Sequence, residues 1–85
     1  KKSHLNPYIA VIQCEGYEAE KVVKDYLSRN TEKCVEKSKS VQKDMIELNM
    51  EIRLKNENTD FINAIAALNG VSSAVLVSYN GDYMG

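Results

Sequence analysis

Apolar and polar side chains alternate most regularly between Met45 and Lys55. The apolar side of this stretch comprises Ile46, Leu48, Met50, Ile52 and Leu54. The positions between them are polar: Glu47, Asn49, Glu51, Arg53 and Lys55. A period of two over ten residues predicts a β-strand with one face in the core and the other in solvent.

Two other stretches have the 3.6-residue period of amphipathic helices. The first helix is predicted over Tyr17–Arg29, with the apolar stripe Ala19, Val22, Val23, Tyr26 and Leu27. The second follows a loop in which Asn58 or Thr59 can cap it, and Asn69-Gly70 ends it. Its buried side is predicted to be Phe61, Ile62, Ile65, Ala66 and Leu68.

Three further strands are predicted from shorter signals. Tyr8–Cys14 is almost continuously apolar, which is typical of a central strand. Glu32–Val41 is rich in charge and suits an edge strand, where Lys discourages pairing with other chains. Ala74–Tyr79 is the last complete strand, and Asn80-Gly81 predicts a turn into a further extended piece.

The resulting order is strand, helix, strand, strand, helix, strand. This is the βαββαβ order of the ferredoxin-like α+β fold, with a four-stranded antiparallel sheet and two helices on one face. Residues 1–7 are predicted to be a linker or arm, and residues 8–85 a single domain of this ACT-like architecture. Cys14 ends the first strand and Cys34 begins the second, so the fold places them at opposite ends of the sheet. Two free thiols are therefore expected.

Composition narrows the functional classes. A net charge of −1 over 85 residues argues against non-specific nucleic-acid binding, which needs clustered Lys and Arg. No apolar run reaches the ~20 residues of a membrane span, so this segment is not expected to insert into a membrane. Two cysteines do not make a disulfide framework, which favours a reducing, cytoplasmic location. The start at Lys1-Lys2-Ser3, without an initiator Met, suggests a fragment of a longer protein.

The motifs of catalytic and cofactor-binding relatives of this fold are missing. The turn after the first strand has one cysteine, Cys14, where a soft-metal site needs a pair. The predicted third strand carries no aromatic residue on which RNA bases could stack. Tyr8–Tyr17 contains no Arg for an acylphosphatase-type anion loop, and no nucleophile–base pair is evident. We therefore expect no enzyme activity, no metal and no cofactor.

Two surfaces remain as candidate sites. ACT modules bind small ligands at the turn after the first strand, which here is Glu15, Gly16 and Tyr17. The second candidate is the sheet face opposite the helices, where an apolar patch edged by charge would mark an interface. Its predicted members are Tyr8, Ala10, Ile12, Glu47, Asn49, Glu51 and Arg53. The expected partner is a second copy or another domain of the parent protein.

The second half of the chain carries a family resemblance in Glu51–Lys55, Leu68–Val71 and Val75–Tyr79. It resembles the cytoplasmic C-terminal domain of a bacterial membrane-protein family of unknown function, in which a few transmembrane helices precede a ferredoxin-like tail. It is also similar in layout to the ACT-like tail of magnesium-transporter-C-type proteins. The resemblance implies a cytosolic regulatory or oligomerisation domain tethered to a membrane. The alternative is a soluble ACT-type sensor of an amino acid or nucleotide.

Overall fold

Six elements follow one another in a computed structural model, which describes residues 6–54, 56 and 58–78. They are β1 (Asn6–Glu15), α1 (Tyr17–Asn30), β2 (Lys33–Gln42), β3 (Met45–Leu54), α2 (Phe61–Ala66) and β4 (Val71–Ser78). This order confirms the predicted ferredoxin-like α+β fold. β1 begins at Asn6, inside the predicted arm. The rest of that arm, and the turn and extended piece predicted after Tyr79, lie outside the described residues.

The four strands form one antiparallel sheet in the order β2-β3-β1-β4. β3 lies between β1 and β2 and pairs with both, so β1 and β2 run parallel without touching. Lys43 and Asp44 form the tight turn between β2 and β3, with Lys43 at a φ of 58°. β2 and β3 thus form a long antiparallel hairpin. β2 is an edge strand, as its charges indicate.

The alternation in β3 survives intact in the folded chain. The five apolar side chains from Ile46 to Leu54 are buried, none more than 6% exposed, whereas Met45 at the start of the strand is 40% exposed. They form the floor of the core, over which Val23 and Leu27 of α1 and Ile65 of α2 are packed. Burying apolar surface at roughly 25 cal/mol per Å² is the main stabilising contribution in a domain of this size.

α1 presents a different face to the sheet from the one predicted. Val22, predicted to be buried, is 49% exposed, whereas Glu20 is only 2% exposed. The buried residues of the helix are Ala19, Glu20, Val23 and Leu27. At 3.6 residues per turn, Val22 lies about 115° from the middle of that face. Tyr26, at the margin of the face, is half-buried.

α2 is shorter than predicted, because it ends at Ala66 instead of Asn69. Beyond Ala66, the chain reaches β4 through two turns with hydrogen bonds between residues three apart. Leu68 N–H donates to the Ile65 carbonyl, and Val71 N–H donates to the Leu68 carbonyl. Ala66, predicted to be buried, is exposed. Asp60 is the N-cap residue, and the predicted cap Asn58 accepts the Asp60 N–H one step earlier.

The phase of β1 is opposite to the prediction. Ala10 and Ile12, expected on the open face, are completely buried beneath the helices, and Tyr8 packs against the same core. Because β1 is apolar on both faces, its sequence does not determine its phase. The register does: Ala10 pairs with Met50 and Ile12 with Leu48, whose side chains already face the core.

Candidate functional site

The sheet face that carries no helix, here called the open face, can be described through the register of the strands. On β3 it carries Glu47, Asn49, Glu51 and Arg53. Their partners on β1 are Gln13, Val11, Ile9 and Pro7, in the same order. β4 adds Ser73, Val75 and Val77, and β2 adds Ser40, Ser38, Val35 and Lys33. The four strands therefore present parallel rows of side chains.

One half of the open face is apolar. Val75 of β4 pairs with Val11 of β1, and Val77 pairs with Ile9. These four side chains, here called the β1–β4 patch, are contiguous β-branched groups. Val75 and Val77 are each 49% exposed, and Ile9 and Val11 are half-buried. Exposure of apolar side chains to water is unfavourable, so burying this patch against a partner would stabilise the complex.

The other half of the open face is polar and internally bonded. Gln13 Nε2 donates to Glu47 Oε1 at 3.0 Å, and Asn49 Nδ2 donates to Ser38 Oγ at 3.0 Å. The Arg53 guanidinium lies 2.9 Å from Glu51 Oε2. These bonds hold the row in defined positions, which lowers the entropy that a partner would have to remove.

Of the residues predicted for this surface, the polar row lies where it was expected. Glu47, Asn49, Glu51 and Arg53 line the open face, whereas Tyr8, Ala10 and Ile12 lie beneath the helices. Their place on β1 is taken by the neighbouring residues Ile9, Val11 and Gln13. Val75 and Val77 of β4 were not predicted for this surface. The only signal for them in the sequence is their alternation with Leu76 and Ser78.

The predicted ligand loop, Glu15 to Tyr17, connects β1 to α1 and lies beside the β2–β3 turn and the α2–β4 connection. Glu15 N–H donates to the Gly70 carbonyl, and Gly16 N–H donates to the Asp44 carbonyl, both at 2.8 Å. The amide groups of Glu15 and Gly16 are therefore occupied. Tyr17 is exposed, with Lys21 Nζ 5.1 Å from the centre of its ring. Ligand binding at this loop stays a prediction.

An ion-pair network around the buried Glu20, absent from the prediction, joins α1 to β2. Glu20 Oε2 lies 2.8 Å from Lys39 Nζ and 2.9 Å from Lys24 Nζ, and Lys24 also contacts Glu36 at 2.6 Å. The hydrogen bond from Lys39 is the main cause that holds the pKa of Glu20 below its ordinary value. Glu36 and Glu20 in turn raise the pKa of Lys24. Glu20 Oε1 is buried and has no partner among the described residues.

Two concavities mark the surface of the described residues. One, of about 370 Å³, lies between the end of α1 and the start of α2 and includes Arg29, Asn56 and Phe61. The other, of about 410 Å³, lies at the Glu47 end of the open face and is lined by Gln13, Ser40, Gln42, Met45, Ile46 and Glu47. The second therefore belongs to the candidate surface.

No group of three or more His, Cys, Asp or Glu side chains in residues 6–54, 56 and 58–78 could hold a metal ion. In the same ranges, neither helix has the length and apolar character needed to cross a bilayer.

The fold and its open face define a ferredoxin-like α+β domain with a bare sheet surface. The chain is similar to the solution structure of the C-terminal domain of the MgtC protein from Mycobacterium tuberculosis, with a TM-score of 0.72. The match covers 95% of each chain at 14% sequence identity, so it shows the fold. It confirms the layout predicted from the sequence. No protein-family model matches this chain, and no curated protein matches it significantly.

Proposed function

We propose that this chain is a non-catalytic oligomerisation or regulatory domain of a bacterial membrane protein, and that it self-associates through the open face of its sheet. The observation that carries the proposal is the β1–β4 patch. It combines four adjacent β-branched side chains with a bonded polar row along one side. An apolar centre beside a polar rim is the usual anatomy of a protein interface.

The helices and the open face contribute differently to stability. The core lies entirely between the helices and the sheet, where twelve buried residues cluster. The β1–β4 patch takes no part in that cluster, although its residues are as apolar as those beneath the helices. Its valines are therefore available for an intermolecular contact without any rearrangement of the core.

The membrane connection rests on the likeness to the MgtC C-terminal domain. A C-terminal domain with this fold supports a role as one part of a longer membrane protein, with the cytosolic location implied by the family resemblance. Sequencing the gene that encodes the chain tests this part. Apolar spans of ~20 residues before Lys1 would support it, and a gene without any such span would contradict it.

Self-association is tested by sedimentation equilibrium of the 85-residue chain at concentrations up to about 1 mM, which detects association free energies as weak as about −4 kcal/mol. We expect a monomer–dimer equilibrium. The double variant V75T/V77T replaces two methyl groups with hydroxyls and keeps the β-branched shape. Because hydroxyls buried at an interface lose water, we expect its dimer to dissociate at least about tenfold more readily.

Val22 provides a matched control. It has the same 49% exposure as Val75 and Val77, but it lies on α1, away from the open face. V22T should leave the dissociation constant unchanged. A strict monomer at the highest concentration would contradict self-association and leave another domain of the parent as the partner of the open face. Equal effects of V22T and V75T/V77T would contradict the assignment of the surface.

A further inference from the structure

The charges of the open face are separated along the strand direction. Glu47 lies at one end of the β3 row, and Arg53 lies at the other, beside Lys33 of β2. The β1–β4 patch lies between these two levels, because Val11 and Val75 are level with Asn49, and Ile9 and Val77 are level with Glu51. Glu51, one level before Arg53, pairs with Arg53 at 2.9 Å and with Lys37 at 3.7 Å, so positive charges outnumber negative ones at this end. The face is therefore acidic at the Glu47 end, apolar in the middle of its β1–β4 half, and basic on balance at the other end.

We propose that the partner of the open face is a second copy of this chain, packed face to face about a two-fold axis that runs across the strands. This inference rests on the proposed self-association and adds its geometry. The axis passes between the Asn49 level and the Glu51 level. Glu47 of each copy then faces Arg53 of the other, with Lys33 beside it.

The same axis matches the remaining rows. A two-fold rotation about a line across the strands reverses their direction, and each strand then faces the same strand of the other copy. Val11 therefore meets Ile9 of the other copy, and Val75 meets Val77, so that the apolar patch covers itself. Asn49 meets Glu51 and can donate its amide to a carboxylate. Such self-complementarity is what an isologous interface requires.

An axis along the strands gives a poorer match. That axis reverses the order of the strands, so that β1 of one copy covers β3 of the other and β4 covers β2. The apolar half of each face then lies against the polar half of the other, and Glu47 lies over Gln13 instead of Arg53. The antiparallel arrangement, with the two-fold axis across the strands, is therefore the better match for the apolar patch and for the charges.

The geometry of the face is adequate for such a dimer. The concavity of about 410 Å³ beside Glu47 provides space for the long side chain of Arg53 from the other copy. Four strands spaced about 4.8 Å apart, with ten residues or fewer at about 3.3 Å each, give a face of roughly 19 by 30 Å. Because side chains make this surface uneven, its accessible area is larger than the flat area and approaches the ~800 Å² per partner of a standard interface.

Charge reversal tests the arrangement by sedimentation equilibrium. E47K alone places a lysine against Arg53 at both ends of the dimer, and R53E alone places a glutamate against Glu47. Each should weaken its own homodimer at least about tenfold. An equimolar mixture of the two variants restores both pairs in the heterodimer. The lysine introduced by E47K then faces the glutamate introduced by R53E, and the native Glu47 faces the native Arg53. We expect the mixture to associate about as tightly as the native chain.

The double variant E47K/R53E should also recover a homodimer, because it exchanges the two ends of the row. E18K and R29E serve as controls. Their side chains form ion pairs on exposed positions of α1 and make the same change in charge. They should leave association unchanged, and thermal unfolding followed by circular dichroism checks that every variant is folded.

The outcomes separate this inference from the proposed function. A native dimer that is weakened by V75T/V77T, but shows no recovery in the mixture or in E47K/R53E, would overturn the antiparallel arrangement alone. Recovery in both would establish the facing of residues 47 and 53. A native chain that stays monomeric would overturn both the self-association and its geometry.

Discussion

Glu20 of α1 and Lys39 of β2 form an ion pair across the interface between helix and sheet, with 2.8 Å between Oε2 and Nζ. The Glu20 side chain is only 3% exposed, whereas that of Lys39 is 34% exposed. β2 contributes little else to the core, since Cys34 alone among its residues is even half-buried. The edge strand is therefore held to α1 largely by charge.

Removing one side of this pair should destabilise the domain. In K39M the methylene stem is retained, but Glu20 keeps only Lys24 as a partner at 2.9 Å. A buried carboxylate that loses a charged partner costs about 1–3 kcal/mol, so we expect a loss of that size in the free energy of unfolding measured in urea. K21M is the control, because the Lys21–Glu18 pair is 3.7 Å apart and exposed. Equal effects of K39M and K21M would contradict a buried role for Glu20.

The stabilisation by Glu20 should depend on pH. Its pKa is lowered in the folded chain, first by the hydrogen bond from Lys39. The charged carboxylate therefore favours folding above the unfolded pKa of about 4.3, and this contribution is lost as the pH falls through the lower folded value.

The measurement for this dependence is the free energy of unfolding of the native chain and of E20Q between pH 7 and pH 2. We expect a difference that is constant from about pH 6 upward and shrinks below about pH 4. E18Q, with its carboxylate on the exposed side of α1, provides the control. A difference between E20Q and the native chain that grows on acidification would contradict the lowered pKa.

The sequence predicted correctly which face of a strand is buried where apolar and polar residues alternate strictly. β3 alternates strictly, so its buried and open faces could be assigned before the structure was known. β1 is apolar on both faces, and its phase depends on the register with Met50 and Leu48, which lie in a distant part of the chain. Of the seven residues predicted for the candidate surface, the four on β3 therefore lie on the open face and the three on β1 lie on the opposite side.

The buried side of α1 was misassigned for a similar physical reason. From the sequence, Glu20 is expected to be a solvent-exposed helix residue, since carboxylates are seldom buried unless they are paired. The partner that permits its burial is Lys39, which lies on another element and looks like part of a solvated edge strand. Val22 was then placed in the core by default.

The two thiols should differ in reactivity. Cys14 is fully buried and Cys34 is half-buried, and both are free. Burial raises the pKa of both thiols, and the charge of Glu20 raises that of Cys14 further, against an opposing effect of Lys39. Because the thiolate is the reactive form, both should react with a disulfide reagent more slowly than a free thiol.

At pH 8 we expect Cys34 to react with Ellman's reagent first and Cys14 only as fast as the chain unfolds. C34S should remove the earlier phase, and C14S the later one. Two thiols should be found in denaturant without a reductant. Fewer than two, or an early phase that persists in C34S, would contradict the assignment.

Gly70 approaches α1 so closely that a side chain there would collide with it. Its φ is 90°, and an added Cβ would lie 2.8 Å from Ala19 Cβ. G70A should therefore cost the strain of a left-handed backbone, about 1–2 kcal/mol, and a further ~1–3 kcal/mol of overpacking. The second part depends on Ala19, so the cost of G70A should fall by about 1 kcal/mol or more in an A19G background.

Gly16 distinguishes the collision from backbone strain. Its φ is 92°, but an added Cβ would meet nothing within 4 Å. G16A should be destabilising as well, because its backbone lies in a region that L-residues rarely adopt. Its cost in urea unfolding should be the same with Ala or Gly at position 19. If A19G relieved G16A and G70A equally, the close contact between Gly70 and α1 would not be the cause of the coupling.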